Sequence, residues 1–328
     1  MRLRSVVLLA AATLALVGCG STVKPGSRAL KHATLILDFT PNAIHTGIYA
    51  ALARRYDIDA GVQLHVIAPA ASTDSIKLLE TGRVNFAILD IHDLAIARER
   101  GQDIVGIMAV VERPLASVIA APGISSPRQL DGRTVGVTGD PSDYAVLDSI
   151  VAGAGGDTHK LHEITIGYDA VTDLLAGRVA AATAFWNDEG VALTHARRGF
   201  HIFQVYDYGA PSYPELVLCA TGSTLRSDPA LATDVVKALV RGYKFALANP
   251  RAAAADLERL VPGLDHRLVS EELVGELPAF KGPNGQVGVL DPKVLRAWAA
   301  WEARFGIVKH PPDLARMFDT RFLQTAEA

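Results

Sequence analysis

The chain has 328 residues, 49% of them hydrophobic and 20% charged, with a formal net charge of −3, which is an ordinary composition for a globular protein with substantial cores. Acidic and basic residues are interspersed, so no basic stripe exists that would follow a phosphate backbone, and this argues against nucleic acid as a partner. Only two cysteines are present, Cys19 and Cys219, too few for a disulfide framework.

Arg2 and Arg4 precede an apolar run from Val6 to Val17, which is too short to span a bilayer comfortably and predicts a signal peptide over 1–18. It ends in Leu16-Val17-Gly18-Cys19, which resembles a bacterial lipobox. That resemblance implies diacylation of Cys19, which would become the mature N-terminus and hold the protein on the outer face of the cytoplasmic membrane. Residues 19–32 are polar and include Pro25, Gly26 and Ser27, so they read as a flexible tether. About 295 residues remain for the folded body, which the usual domain size divides into two lobes.

Short apolar runs then alternate with stretches of helical period, which predicts an α/β fold with mainly parallel sheets. The first unit is a strand at Thr34 to Leu37 and a helix from Ala43 to Tyr56. The second is Val62 to Ile67 with a helix opened by Ser72, and the third is Val84 to Leu89 with a helix at His92 to Arg100. Extended runs at Ile104 to Val111 and Ala116 to Ala121 flank Glu112-Arg113-Pro114, where proline removes a ladder donor and marks a crossing between lobes. A second block follows, with strands near Thr134 to Val137, Glu163 to Ile166, Ala180 to Phe185 and His201 to Val205. Its helices are predicted at Ser142 to Ala154, Tyr168 to Leu175 and Asp188 to Arg198. The loop from Tyr208 to Pro214 and the apolar run Leu216 to Ala220 read as the return crossing, with Cys219 as a buried strand residue. Helices are expected at Pro229 to Ala248, Pro250 to Leu260, His266 to Glu276 and Pro292 to Phe305. The resulting division is 33–113 plus 218–328 for lobe 1 and 114–217 for lobe 2.

Leu79-Glu80-Thr81-Gly82-Arg83-Val84 is echoed by Leu174-Leu175-Ala176-Gly177-Arg178-Val179. In both, a helix ends at glycine and a strand follows, so each lobe is expected to contain the same unit. The residues leaving those strands, Leu89-Asp90 and Phe185-Trp186-Asn187, then sit at the carboxyl ends of parallel strands, the edge where open α/β sheets bind ligands.

Leu37-Asp38-Phe39-Thr40-Pro41-Asn42-Ala43-Ile44-His45-Thr46-Gly47-Ile48-Tyr49 resembles the opening of the thiamine-pyrimidine-precursor branch of the SsuA/THI5-like (NMT1/THI5) family of solute-binding proteins. Other matches continue at Leu79 to Val84, at Ser126 to Gly136 around Leu130-Asp131-Gly132, and at Phe185 to Gly190; the Gly-Arg-Val and Leu-Asp-Gly pieces occur across many solute-binding proteins. The resemblance implies a type II periplasmic-binding-protein fold, with two lobes joined by a two-strand hinge and closing on a small ligand. It further implies delivery to an ABC permease and its ATPase by a monomeric binding protein. The ligand so implied is a hydroxymethylpyrimidine or formylaminopyrimidine precursor of thiamine; riboflavin, sulfonates and other small solutes are handled by similar proteins, and an anchored sensor without transport uses the same fold.

An aminopyrimidine needs acceptors for its exocyclic amine, a donor or acid for a ring nitrogen, and flat walls. Asp38 leaves the first strand and can accept hydrogen bonds or act as a turn acid, and Asn42 can open the following helix or touch ligand. His45 in its first turn, and Tyr49 at i+4 on the same face, can face a ligand or belong to the structure. Asp90 can bind ligand or cap a helix. Gly139, Ser142 and Tyr144 belong to a strand-to-helix turn whose free amides can hold an oxygen or serve only as an N-cap. Trp186 is expected to stack on a ring and Glu189 to accept from its amine, with Asn187 between them. Tyr213 beside the return crossing is a further aromatic candidate.

No enzyme motif is found. His-Glu-x-x-His, Gly-x-Ser-x-Gly and P-loop patterns are absent, and the ten histidines lack zinc-ligand spacing, so neither metal nor cofactor is expected. The resembling pyrimidine synthases use pyridoxal phosphate, iron, an active lysine and a cysteine-rich segment. This chain has no lysine in Phe86-Ala87-Ile88-Leu89-Asp90-Ile91-His92 and no cysteine cluster. Ala152-Gly153-Ala154-Gly155-Gly156 imitates a dinucleotide loop but follows a helix, so it reads as a helix stop.

Overall fold

A computed structural model of the chain describes residues 29–71, 73–196, 199–282 and 284–327. The predicted signal peptide, Cys19 and the tether up to residue 28 lie outside the described residues, as do Ser72 and residues 197–198 of the helix expected at Asp188 to Arg198.

The strands in chain order are β1 Lys31–Ile36, β2 Val62–Ile67, β3 Phe86–Asp90, β4 Ile104–Val111, β5 Ala116–Ala120, β6 Thr134–Val137, β7 His162–Thr165, β8 Ala181–Phe185, β9 His201–Gln204 and β10 Leu216–Thr221. They form two five-stranded sheets, ordered β2-β1-β3-β10-β4 and β7-β6-β8-β5-β9. In the first sheet β10 is antiparallel to both its neighbours, and in the second β5 is. The other strands of each sheet share one direction, so each reversed strand is the one that arrives from the opposite lobe. Ala116–Ala120 and the run Leu216 to Ala220 are buried throughout, because each of these strands sits inside its sheet with both faces covered.

The helices of the first lobe are α1 Thr46–Ala53, α2 Tyr56–Ala60, α3 Asp74–Glu80 and α4 Ile91–Glu99, and the second lobe holds α5 Pro141–Gly153, α6 Ala170–Leu175 and α7 Glu189–Ala196. Beyond β10 come α8 Gly222–Ser227, α9 Pro229–Ala248, α10 Pro250–Leu260, α11 His266–Glu276, α12 Pro292–Arg304, α13 Leu314–Met317 and α14 Arg321–Glu327. No helix among the described residues is long and apolar enough to cross a membrane.

The repeated sequence folds twice in the same way. Gly82 and Gly177 take φ of +69° and +68°, the left-handed conformation that costs a glycine least. Gly82 N donates to Leu79 O and Arg83 N to Leu78 O, while Gly177 N donates to Leu174 O and Arg178 N to Asp173 O. Each strand then starts against the same partner position: Asn85 N donates to Thr34 O and Ala180 N to Thr134 O.

One expected element is divided. The single helix predicted from Ala43 to Tyr56 is a 3-10 turn at Ala43–His45, then α1, then α2, separated by Arg55 at φ +59°. The break lets α2 and α1 both pack on α9, at a close approach made by glycine: a Cβ on Gly242 would stand 2.0 Å from the carbonyl oxygen of Gly47.

The chain passes from the first sheet to the second between Val111 and Ala116, and returns between Gln204 and Leu216. Buried Glu215 ties the two passages together. Its Oε2 accepts from the Leu115 and Ala116 amides, the latter at 2.9 Å, and its carbonyl accepts from Ile91 N at 2.9 Å.

Candidate functional site

The carboxyl ends of β1, β3, β6 and β8 face one another across a cavity of about 100 Å³, several times the roughly 10–15 Å³ that one water needs on the same measure. Its walls come from both lobes. The first lobe contributes Asp38, Phe39, Asp90 and Asp93, and the second contributes Asp140, Asp143, Tyr168, Phe185, Asp188 and Glu189. Seven carboxylates therefore face this space, and among the described residues no lysine, arginine or histidine lines it.

Burial raises several of these acids above the ordinary carboxylate range. Glu189 is pushed up to about 8 by burial and then by the charge of Asp188. Asp93 rises to about 6, mainly through burial and against the hydrogen bond from Ser142. Asp90, Asp143 and Asp188 are also raised, burial being the largest cause for each. A protonated carboxyl is a donor and its neighbour an acceptor, so the wall offers both halves of the pairing that a nitrogen heterocycle requires.

Each predicted site residue has a definite place. Asp38 lines the cavity and is oriented by His45, whose Nε2 lies 3.0 Å from Asp38 Oδ1. The other ring nitrogen, Nδ1, accepts from Asn42 N at 3.1 Å, so His45 has both nitrogens committed within the protein and is fully buried. Asn42 caps the turn through its side chain, which accepts from Ile44 N at 3.1 Å. Its Nδ2 also donates to Asp188 Oδ2 across the cleft at 2.5 Å. Tyr49 packs in the apolar core of the first lobe, away from the cavity, and burial lifts its hydroxyl to about 12.

Asp90 both lines the cavity and caps α4, accepting from His92 N at 2.7 Å. Ser142 lines the cavity with its amide turned to Asp93 Oδ1 at 3.2 Å. Gly139, at φ +103°, shapes the turn before α5. Tyr144 packs against the core rather than the cavity. Glu189 lines the cavity and accepts from Phe185 N at 3.0 Å.

The structure does not bring Trp186 and Glu189 into one wall. Trp186 lines a second, outer cavity with Arg113, Pro114 and Tyr206, because its indole N–H donates to Pro114 O at 3.1 Å and its amide to Leu115 O. Asn187 is buried and donates to Glu276 Oε1 of α11 at 2.6 Å. Tyr213 is fully buried against His92, edge to face at 4.8 Å, and lies outside the cavity.

Sequence reading missed the aromatic walls. Phe39 and Tyr168 meet across the cleft, edge to face with centroids 4.4 Å apart, and the Tyr168 hydroxyl donates to Asp38 O at 3.3 Å. Phe39 sits inside the opening motif and Tyr168 after β7 at the strand edge, so position relative to the strand ends was the available signal. Asp140, Asp143 and Asp188 adjoin predicted residues and were passed over for them.

Two α/β lobes, each with one reversed strand supplied by the other, closing over a cavity at their strand tips, define a periplasmic-binding-protein fold. The chain belongs to the NMT1/THI5-like family, whose model matches residues 42–253. It is 29% identical over 309 residues to a formylaminopyrimidine-binding protein of Halalkalibacterium halodurans, covering 92% of this chain and 93% of that one. It is 23% identical to a 4-amino-5-hydroxymethyl-2-methylpyrimidine phosphate synthase of Legionella pneumophila, covering 75% and 79%. Among solved structures, the alkanesulfonate-binding protein SsuA of Xanthomonas axonopodis superposes with a TM-score of 0.72 at 12% identity, covering 89% of this chain and 99% of that one.

Proposed function

We propose that this chain is the substrate-binding component of an ABC importer, and that it captures an aminopyrimidine precursor of thiamine, of the hydroxymethyl or formylamino type, by closure of its lobes. The observation that carries this reading is the cavity wall of seven carboxylates without a facing cation. Such a wall repels sulfonate and nitrate, and suits a flat ring rich in N–H donors. The similarity to a formylaminopyrimidine-binding protein supports it.

Closure acts by population shift: ligand held between the lobes favours the form in which contacts across the cleft are made. Asn42 to Asp188, Tyr168 to Asp38 and Asn187 to Glu276 are such contacts. We take the lobes as 33–113 with 218–328, and 114–217. The lipobox-like Leu16 to Cys19 supports an extracytoplasmic protein anchored through lipid on Cys19, working as a monomer with a permease and its ATPase. A synthase reading is disfavoured, because among the described residues no lysine lines the cavity to hold pyridoxal phosphate.

Native mass spectrometry of the gently purified protein tests the reading. The expected result is a retained mass equal to an aminopyrimidine, displaced by added formylaminopyrimidine. Retention of a sulfonate, or of a pyrimidine that the protein itself produces, would overturn it.

A further inference from the structure

At the edge of the ligand cavity, which it shares through Asp90, a cluster of three donor groups from distant parts of the chain converges. Asp90 and His92 sit at the end of β3 and the start of α4, while Glu215 comes from the return passage before β10. One donor atom from each lies within 4.8 Å of the others. His92 and Glu215 are fully buried, yet among the described residues His92 Nε2 and Glu215 Oε1 have no hydrogen-bond partner, and they face each other at 3.9 Å. Leaving two such atoms unpaired in the interior is costly unless something joins them.

The far side of the imidazole is already engaged. His92 Nδ1 contacts Glu302 Oε1, and the indole Nε1 of Trp298 lies 3.2 Å from the same nitrogen. Only Nε2 is left, and it aims at the gap between Glu215 and Asp90. A histidine backed by a carboxylate on one nitrogen, with the other directed at further carboxylates, is the arrangement that orients imidazole toward a metal. The charges agree. Asp90, Glu215 and Glu302 surround one imidazole, and among the described residues no lysine or arginine forms an ion pair with any of them. A single imidazolium would balance one of the three carboxyl groups, leaving Asp90 and Glu215 pushed by burial toward their neutral forms, whereas a dication with neutral imidazole takes the place of their protons and balances two.

We propose that Asp90, His92 and Glu215 form a binding site for a borderline transition-metal dication of the zinc class, which fixes the return passage to the first lobe. Mixed nitrogen and oxygen donors suit zinc, cobalt or nickel better than calcium or magnesium. Zinc takes such ligands at about 2.1 Å in a tetrahedron, which places two of them about 3.4 Å apart. The 3.9 Å separation of Nε2 and Oε1, and the 4.8 Å that spans all three donors, therefore close by small side-chain rotations when the ion binds. Spacing along the chain hides the site, because residue 215 reaches residues 90 and 92 only through the pairing of β10 with β3.

The test uses the purified full-length chain, stripped with chelator and titrated with Zn(II), then with Co(II) as a spectroscopic probe. One equivalent should be retained through gel filtration from micromolar zinc. Bound Co(II) should give visible absorption bands and quench the emission of Trp298 and Trp301, which flank His92 with ring centroids at 6.2 and 5.6 Å. His92→Ala and Glu215→Gln should each weaken zinc binding at least tenfold. His195→Ala, at the surface pair with Glu271, should leave it unchanged. No retained zinc in the wild type, or wild-type affinity in His92→Ala and Glu215→Gln, would overturn the proposal; if His92→Ala does not fold, Glu215→Gln, which keeps the acceptor for Leu115 and Ala116, decides alone. Pyrimidine binding is measured separately, so failure of one reading is distinguishable from failure of the other.

Discussion

Asp38 shows how the site is held at the level of single residues. It faces the cavity, but its position depends on a buried relay in which Asn42 N donates to His45 Nδ1 and His45 Nε2 meets Asp38. His45→Ala removes the relay and leaves a buried gap, so it should lower stability by about 2–4 kcal/mol, measured by urea unfolding, and weaken pyrimidine binding through Asp38. Glu189 lines the cavity itself, and Glu189→Ala should weaken pyrimidine binding at least tenfold, about 1.4 kcal/mol or more by titration calorimetry. Trp186→Ala should change it less, since the indole faces another cavity. The acidity of the wall has its own signature. Glu189 is raised to about 8 and Asp93 to about 6, so the folded state binds more protons than the unfolded chain between about pH 4.5 and pH 8. Their contribution to stability is fully present below the unfolded range and is lost as pH rises through the raised values. Thermal unfolding without ligand should therefore show a midpoint that falls from pH 5 to pH 8.5, and Glu189→Gln should flatten part of that fall.

At the level of elements, most of the architecture is written in local patterns. The ranges of β2, β4, β6 and of α9, α10 and α11 coincide with those read from periodicity and flanking proline, because apolar runs bounded by turn residues and Pro at the first helical position are strong signals. The repeated Gly-Arg-Val segments correctly indicate two copies of one unit. What periodicity cannot show is where a helix must break to accommodate a partner distant in sequence. Arg55 interrupts the predicted Ala43 to Tyr56 helix so that α1 and α2 can both seat on α9. The seat depends on Gly47 and Gly242, and Gly242→Ala would press a methyl onto the Gly47 carbonyl. It should cost about 1–3 kcal/mol or more in urea unfolding despite the better helix propensity of alanine. The same limit applies to the site: strand ends, and hence Asp38, Asp90 and Glu189, are legible from the βα pattern. Which way Trp186 turns is not, because that follows from Pro114 O on another strand passage. The joining of Asp90 and His92 to Glu215 is likewise a product of sheet order.

Across the whole molecule the lobes are joined by reciprocal contacts, asparagine to carboxylate in each direction: Asn42 of the first lobe to Asp188 of the second, and Asn187 of the second to Glu276 of the first. Asn187→Ala leaves Glu276 buried without its amide partner in the closed form, so it should shift the population toward open forms. Small-angle scattering should then show a larger radius for the variant without ligand and a smaller contraction on ligand addition than for the wild type. The central claim is that the charge of this enclosed wall selects a donor-rich pyrimidine and refuses an anion. Titration calorimetry of the purified protein with formylaminopyrimidine and, in parallel, an alkanesulfonate tests it most directly. The account predicts one pyrimidine per chain at micromolar affinity or tighter and no heat from the sulfonate; saturable sulfonate binding without pyrimidine binding would contradict it.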